Sequence, residues 1–205
     1  MIISHSKKFI FIHIYKVAGT SVNTALREFS FLPTKENRLK SFFCIYPSIY
    51  TTDFEGHIKA KELKYRIPEK LFNNYFKFAF VRNPWDWQVS LYHFALQTPE
   101  HYQHRLVKNM KSFDEYIDWR INKDLNLQKD FLYEDNILLV DYVGKKEQIE
   151  NNMTSICKNI KLPNIKIPHK RKSNHRDYKE YYNSSTKIYI EEAFAEDIKT
   201  FDYNF

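Results

Sequence analysis

The sequence predicts an α/β protein, a three-layer αβα arrangement around a central parallel sheet, and two observations carry that reading. Compact runs rich in aromatic and β-branched residues, Phe9 to Ile14, Phe76 to Val81 and Ile137 to Val140, are each followed by apolar residues at helical spacing. Only a short loop separates each of the first two runs from its helix. Strands alternating with helices fit a parallel sheet covered on both faces, in which ligands bind beyond the carboxyl ends of the strands.

The elements follow in order. Phe9 to Ile14 runs straight into Lys16-Val-Ala-Gly-Thr-Ser21, after which Val22, Ala25, Leu26 and Phe29 recur at i, i+3, i+4 and i+7. This reads as strand, tight loop, amphipathic helix. Phe42 to Tyr46 is a further candidate strand. Phe76 to Val81 leads through Arg82-Asn-Pro84 to a helix with Trp87, Leu91, Phe94 and Ala95 on one face, and Pro84 suits its first turn. Ser112 with Glu115 reads as a capping box for a helix carrying Phe113, Tyr116, Ile117 and Ile121. The run from Ile137 continues through Asp141-Tyr-Val143 to Gly144, and Ile149, Met153, Ile156 and Ile160 mark the helix after it. Ile190, Phe194, Ile198 and Phe201 line one last helix. With no internal repeat and no Ser/Gly/Pro-rich linker, the chain reads as a single domain over 1–205.

At 205 residues, with 43% hydrophobic and 28% charged residues, the chain can bury a sizeable core, which excludes wholesale disorder. Three glycines exclude a collagen-like or linker-like chain. Cys44 and Cys157 have no metal-site spacing, so neither a zinc site nor a disulfide framework is expected, and a reducing compartment fits. No apolar stretch is long enough to span a bilayer and no secretory signal pattern opens the chain, so the expected location is the cytoplasm. The net charge of +7 predicts attraction to polyanions: nucleic acid, a phosphorylated cofactor or an acidic glycan.

A strand entering a small-residue turn and then a helix points backbone N–H groups outward, where the helix dipole favours an anion. Lys16 adds a mobile positive charge, Gly19 lets the backbone approach closely, and Thr20 and Ser21 add hydroxyl donors. With Val17 and Ala18 between them, these residues outline a phosphate cradle. The order differs from the triphosphatase signature G-x-x-x-x-G-K-[ST], because the lysine precedes the glycine. The plainer alternative is an ordinary β–α turn capped by Ser or Thr. At the second junction Arg82 can grip a phosphate bidentately, and Ser90, two helical turns along, can donate from the same side. There the plainer alternative is a capped turn followed by a solvated serine.

The phrase Phe11-Ile-His-Ile-Tyr-Lys16-Val-Ala-Gly-Thr-Ser21 resembles the 5′-phosphosulfate-binding loop of sulfotransferases that use 3′-phosphoadenosine 5′-phosphosulfate (PAPS), I-H-x-P-K-x-[AG]-G-[ST]-[ST], with Tyr15 in place of the usual proline. Phe78-Ala-Phe-Val-Arg82-Asn-Pro-Trp-Asp86-Trp-Gln-Val-Ser90 is similar to that family's 3′-phosphate signature, F-x-x-V-R-[ND]-P-x-x-R-x-x-S, with Trp87 where an arginine is often seen. His169 to Tyr182 resembles the family's basic loop over the nucleotide, although a basic run of this kind also fits a solvated surface. The resemblance implies a P-loop nucleotide-binding-like fold and PAPS as co-substrate. It implies nucleotide contacts from Lys16, Val17, Ala18, Gly19, Thr20, Ser21, Arg82, Ser90, Lys172, Ser173 and Arg176, with Lys16 also catalytic.

Sulfuryl transfer to an alcohol also needs a base for the acceptor hydroxyl. Glu55-Gly-His57-Ile58 resembles the segment that carries the catalytic histidine of glycosaminoglycan 2-O-sulfotransferases, and His57 maps onto that histidine. A neutral imidazole at pH 7 suits the task, while a loop histidine without a task is the plain alternative. His13, inside the first strand, is a weaker candidate; Asp86 and Glu55 follow it. Lys59 and Lys61 could hold an acidic acceptor or lie on a solvated helix. The expected acceptor is a carbohydrate hydroxyl, and no metal is expected because no His-x-x-x-His spacing or carboxylate cluster occurs. Two other classes compete. An ATP-dependent small-molecule kinase needs a Mg²⁺-binding carboxylate that the sequence does not identify. A basic nucleic-acid-binding protein would stack bases on its aromatics, yet Phe76, Phe78, Phe80 and Phe94 fall at core-like positions, so no nucleic-acid partner is expected.

Overall fold

The structure, a computed structural model, describes residues 1–30, 54–168 and 175–205. These residues form two compact units, Met1–Val81 with Asp130–Lys170, and Arg82–Lys129 with Arg171–Phe205. The strands all lie in the first unit: β1 (Ile2–Ser4), β2 (Phe9–Ile12), β3 (Phe76–Val81), β4 (Tyr133–Glu134), β5 (Ile137–Leu138) and β6 (Tyr142–Lys145). The helices are α1 (Gly19–Leu26), α2 (Ala60–Arg66) and α3 (Glu69–Asn74) in the first unit, then α4 (Pro84–Gln97), α5 (His104–Lys108) and α6 (Phe113–Lys123) in the second. Next come α7 (Ile149–Asn159) in the first unit and α8 (Ser184–Ala193) and α9 (Ala195–Phe201) in the second.

The main sheet has the order β1-β2-β3-β6, with β2, β3 and β6 parallel and β1 antiparallel at one edge. Phe11 pairs with Phe78 and Ile12 with Ala79, and Ala79 and Phe80 pair with Val143 and Gly144. All four residues of β2, and Phe78 to Val81 of β3, are fully buried. Side chains on both faces of these strands are therefore covered, which explains their continuous apolar runs and fits an α/β fold with a mostly parallel central sheet. Gly144 is set by packing: a Cβ there would lie 2.7 Å from Cε1 of Phe80. Because β2 and β3 are adjacent and parallel, the chain leaves both at the same end of the sheet.

Three elements differ from expectation. Ile137–Leu138 does not enter the main sheet but pairs with Tyr133–Glu134 as a two-stranded hairpin. Asp135 and Asn136 take φ values of 48° and 65°, the left-handed pair a tight two-residue hairpin turn demands. The turn leaves Ile137 66% exposed, and the core strand begins later, at Tyr142. Asp141 sets that start, exchanging main-chain and side-chain bonds with Lys77 of β3. The last helix is two, broken at Phe194, and the break lets both Phe194 and Asp197 be fully buried. Edge strand β1, too short to read from the sequence, is joined to β2 by a turn in which Lys8 has φ 53°. The candidate strand Phe42 to Tyr46 and Cys44 lie outside the described residues. Cys157 is a buried free thiol on α7, among Met153 and Ile156.

In the second unit α4 starts as its sequence suggests. The Asn83 side chain accepts from the amides of Trp85 and Asp86, with Pro84 in the first turn. From Pro84 to Leu91 every residue is buried, so this helix is enclosed on all sides rather than amphipathic. Ser112 caps α6 by accepting from Glu115 N at 3.2 Å, but the Glu115 carboxylate reaches back to the amide of Lys111 rather than Ser112, so the capping box is only half formed.

Candidate active site

The loop after β2 is built by two left-handed residues that are not glycine. Lys16 has φ 61° and Ala18 φ 69°. Each such conformation costs roughly 1–2 kcal/mol, the kind of local strain that clusters at functional sites. Val17, fully buried, pins the loop between them. Ala18 is the N-cap of α1 and supplies no side-chain cap, so the plain reading of a Ser- or Thr-capped turn does not hold: Thr20 and Ser21 lie inside the helix. No side chain caps the first turn of α1, where Ser21 N donates to the Ala18 carbonyl at 2.9 Å; beside it Lys16 is half-buried and Thr20 exposed.

Gly19 has a packing task in addition to the expected one. A Cβ at Gly19 would lie 1.6 Å from Nε2 of His13, so glycine makes room for an imidazole. Asn23 Nδ2 donates to His13 Nδ1 at 3.5 Å. His13 lies just past the end of β2 and is not placed as a base. Burial above all, with the Met1 ammonium and His57 adding to it, pushes its pKa down to about 2. The folded form therefore binds this proton less than the unfolded chain does, and stability drops as pH falls below about 6.5, by about 1.4 kcal/mol per pH unit. Between pH 6.5 and 5, urea titration is expected to show an acid loss about 2 kcal/mol smaller in His13→Asn than in the unmodified protein, the remainder coming from groups such as His57 and His93 whose pKa values burial also lowers; equal losses in both proteins would contradict this assignment.

His57 lies against His13, with ring centroids 4.5 Å apart. Its Nδ1 is 3.0 Å from the His13 carbonyl oxygen. A carbonyl only accepts, so Nδ1 carries the proton and Nε2 keeps its lone pair. Partial desolvation lowers the His57 pKa, opposed by the bond to His13, so the imidazole is neutral at pH 7. Ile58, 1% exposed, anchors the segment beneath it. Tyr15, at the position of the usual proline, sets its ring edge-on to both His57 (5.7 Å) and Phe131 (5.6 Å). Lys59 Nζ sits 5.7 Å from the Phe131 ring centre. Lys61 and Lys64 instead converge on Glu134, at 3.4 and 2.7 Å, and Tyr65 donates to the same carboxylate. These contacts, the Lys64 hydrogen bond first, hold Glu134 down to about 2. Glu55 is exposed and 4.0 Å from Arg66.

In the second unit Arg82 is buried, 5% exposed, and its Nε and Nη2 donate to the two carboxylate oxygens of Asp86, each at 2.6 Å. Asp86 is thereby a partner of Arg82 and not a poised base. Ser90 is 1% exposed on the same helix, not solvated. Trp87, in the place of the frequent arginine, is enclosed between Phe194 and the guanidinium of Arg120. Arg120 also donates to Gln88 Oε1 and to Asp124, so a cation from α6 reaches the position the motif leaves without one. Arg176 is exposed, paired with Glu180 and stacked on Tyr181. Lys172 and Ser173 lie outside the described residues.

Sequence reasoning missed three groups. Gln128 fixes the Arg82 main chain, Asp197 fixes Gln128, and Tyr15 packs against His57. Only Tyr15 left a signal, as the departure from the loop pattern. Among the described residues, no group of three His, Cys, Asp or Glu side chains could hold a metal ion, and no helix is long and apolar enough to cross a membrane.

The sequence model described as the sulfotransferase family matches residues 1–204. An uncharacterized protein of Archaeoglobus fulgidus is 33% identical over 108 residues, which span 49% of this chain and 80% of that relative.

Proposed function

The chain belongs to the sulfotransferase family, and on that premise we propose that it transfers a sulfuryl group from PAPS to a carbohydrate hydroxyl. The observation that carries the donor assignment is the loop Lys16 to Ser21, a strained turn opening a helix whose first amides no side chain caps. Lys16, the amides from Val17 to Thr20 and the Ser21 hydroxyl would hold the 5′-phosphosulfate. Arg82 with Ser90 would hold the 3′-phosphate, and Lys172, Ser173 and Arg176 would contribute from the basic segment.

The chemistry needs little else. The acceptor oxygen bonds to sulfur as the bond from sulfur to the 5′-phosphate oxygen breaks, and adenosine 3′,5′-bisphosphate departs. Charge grows on that phosphate, where Lys16 and the loop amides stabilise it. The acceptor proton passes to Nε2 of His57, whose tautomer the His13 carbonyl sets. Tyr15 beside His57, with Lys59 nearby, supports an acceptor that presents a sugar face and an acidic group.

Calorimetric titration with adenosine 3′,5′-bisphosphate, with ATP and Mg²⁺ in parallel, tests the donor. Micromolar binding, about −8 kcal/mol, that disappears with the 3′-phosphate is expected. Binding of ATP alone would assign a kinase instead, and binding of neither would remove the nucleotide site. Arg82→Ala is expected to weaken the bisphosphate much more than adenosine 5′-phosphate, and equal losses would contradict the 3′-phosphate role. That variant leaves Asp86 buried without its guanidinium, at a stability cost of about 3–5 kcal/mol, so Arg82→Lys is the companion measurement.

A further inference from the structure

Arg82 is gripped at both its main chain and its side chain by residues to which neither signature motif gives a role. Its amide donates to Gln128 Oε1 at 2.8 Å, and Gln128 Nε2 donates back to the Arg82 carbonyl at 2.8 Å. This paired contact fixes the carboxamide orientation as well as the peptide. Gln128 is fully buried, and so is the residue that holds it: Asp197 accepts from the amides of Gln128 and Lys129 through its two oxygens, both at 2.8 Å. At the other end Asp86 takes two of the five guanidinium donors, from Nε and Nη2.

Stability alone is a weak reason for this arrangement. Buried ion pairs are often matched or exceeded by apolar residues of similar volume, and here a buried arginine, two buried carboxylates and a buried carboxamide surround one position. What such a frame does accomplish is to remove the rotamer freedom of Arg82 before any ligand arrives, and to orient its guanidinium with the Nε–Nη2 edge turned to Asp86. We propose that Asp86 and Gln128 are positioning residues that hold Arg82 ready for the 3′-phosphate of a nucleotide, an inference that rests on the donor reading above. Asp197 acts one step further back by fixing Gln128.

The test reads one ratio, the affinity for adenosine 3′,5′-bisphosphate over that for adenosine 5′-phosphate, in the full chain. A fold merely weakened by mutation loses both affinities together, whereas a misplaced Arg82 loses the ratio. In Asp86→Asn and in Gln128→Leu the ratio is expected to fall about tenfold or more, with 5′-phosphate affinity within about threefold. Asp86→Glu, which keeps the charge, recovers part of the loss. An unchanged ratio in the folded variants overturns the proposal. A ratio that rises in Asp86→Asn also overturns it, because Asp86 would then compete with the phosphate. Should the variants not fold, the unmodified protein decides through the Arg82 Nε–Hε resonance, assigned by its loss in Arg82→Lys. A sharp signal in both the free and bisphosphate-bound protein supports a pre-held fork, and a signal that appears only on binding overturns it. A wild-type protein without 3′-phosphate discrimination removes the donor reading, and the proposal falls with it.

Discussion

Lys16→Ala is expected to lower kcat/KM by about 100- to 1000-fold while leaving the protein folded. The charge that appears during transfer sits on the departing 5′-phosphate, and a preorganised cation beside it acts where solvent screening is weak. The backbone argues that the loss is chemical and not structural. Lys16 already occupies the left-handed region with a Cβ, so alanine inherits the same conformation at similar strain. The buried anchor of the loop is Val17, not Lys16. Urea denaturation should therefore move by about 1 kcal/mol or less. Turnover that survives the substitution would place the leaving-group stabilisation elsewhere.

The second large effect is at His57. His57→Ala should reduce kcat by about 10²- to 10⁴-fold and leave bisphosphate affinity within about twofold, because the imidazole is assigned to the acceptor proton and not to the nucleotide. The pH profile sharpens this. A base works when unprotonated, and desolvation against its neighbours lowers the His57 pKa from 6.5. Activity should hold as pH falls to about 6.5 and decline only below it, and that acid limb should vanish from whatever rate the alanine variant retains. An acid limb that persists in His57→Ala would transfer the role to another group.

Local chemistry was legible in the sequence and long-range partnership was not. Phe76 to Val81 and the start at Pro84 were readable because burial on both faces and a proline in the first turn leave direct marks. The hairpin at Tyr133 to Leu138 is hidden in the sequence for lack of a glycine: Asp135 and Asn136 both adopt left-handed conformations, and the apolar pair after them mimics a core strand. Phe194 gives no sign of the break beside it, since the helical spacing of Ile190, Phe194 and Phe201 survives the kink. Among the proposed site residues, Lys16, Gly19 and Arg82 stand out at strand-to-helix junctions, and His57 only through its resemblance to a sulfotransferase segment. The packing reason for Gly19 does not, because it depends on an imidazole six residues earlier in the chain. Gln128 and Asp197 could not be found at all, since their pairing with Arg82 and its neighbours exists only once distant segments have folded together.

The interleaving of the two units bears on how the chain is made. β3 is complete at Val81, but its second parallel neighbour spans Tyr142–Lys145, and residues 82–129 of the other unit are synthesised in between. At about 5–20 residues per second, the side of β3 that β6 will cover stays open for roughly 3–13 seconds in every round of synthesis. That side presents Phe78, Ala79, Phe80 and Val81, an apolar edge with unpaired amides and carbonyls of the kind that recruits strands from other chains. Closing it joins partners more than sixty residues apart, a loop-closure cost met before the contacts compensate. The yield of folded enzyme therefore depends on what shields this edge while the ribosome is still delivering the other unit.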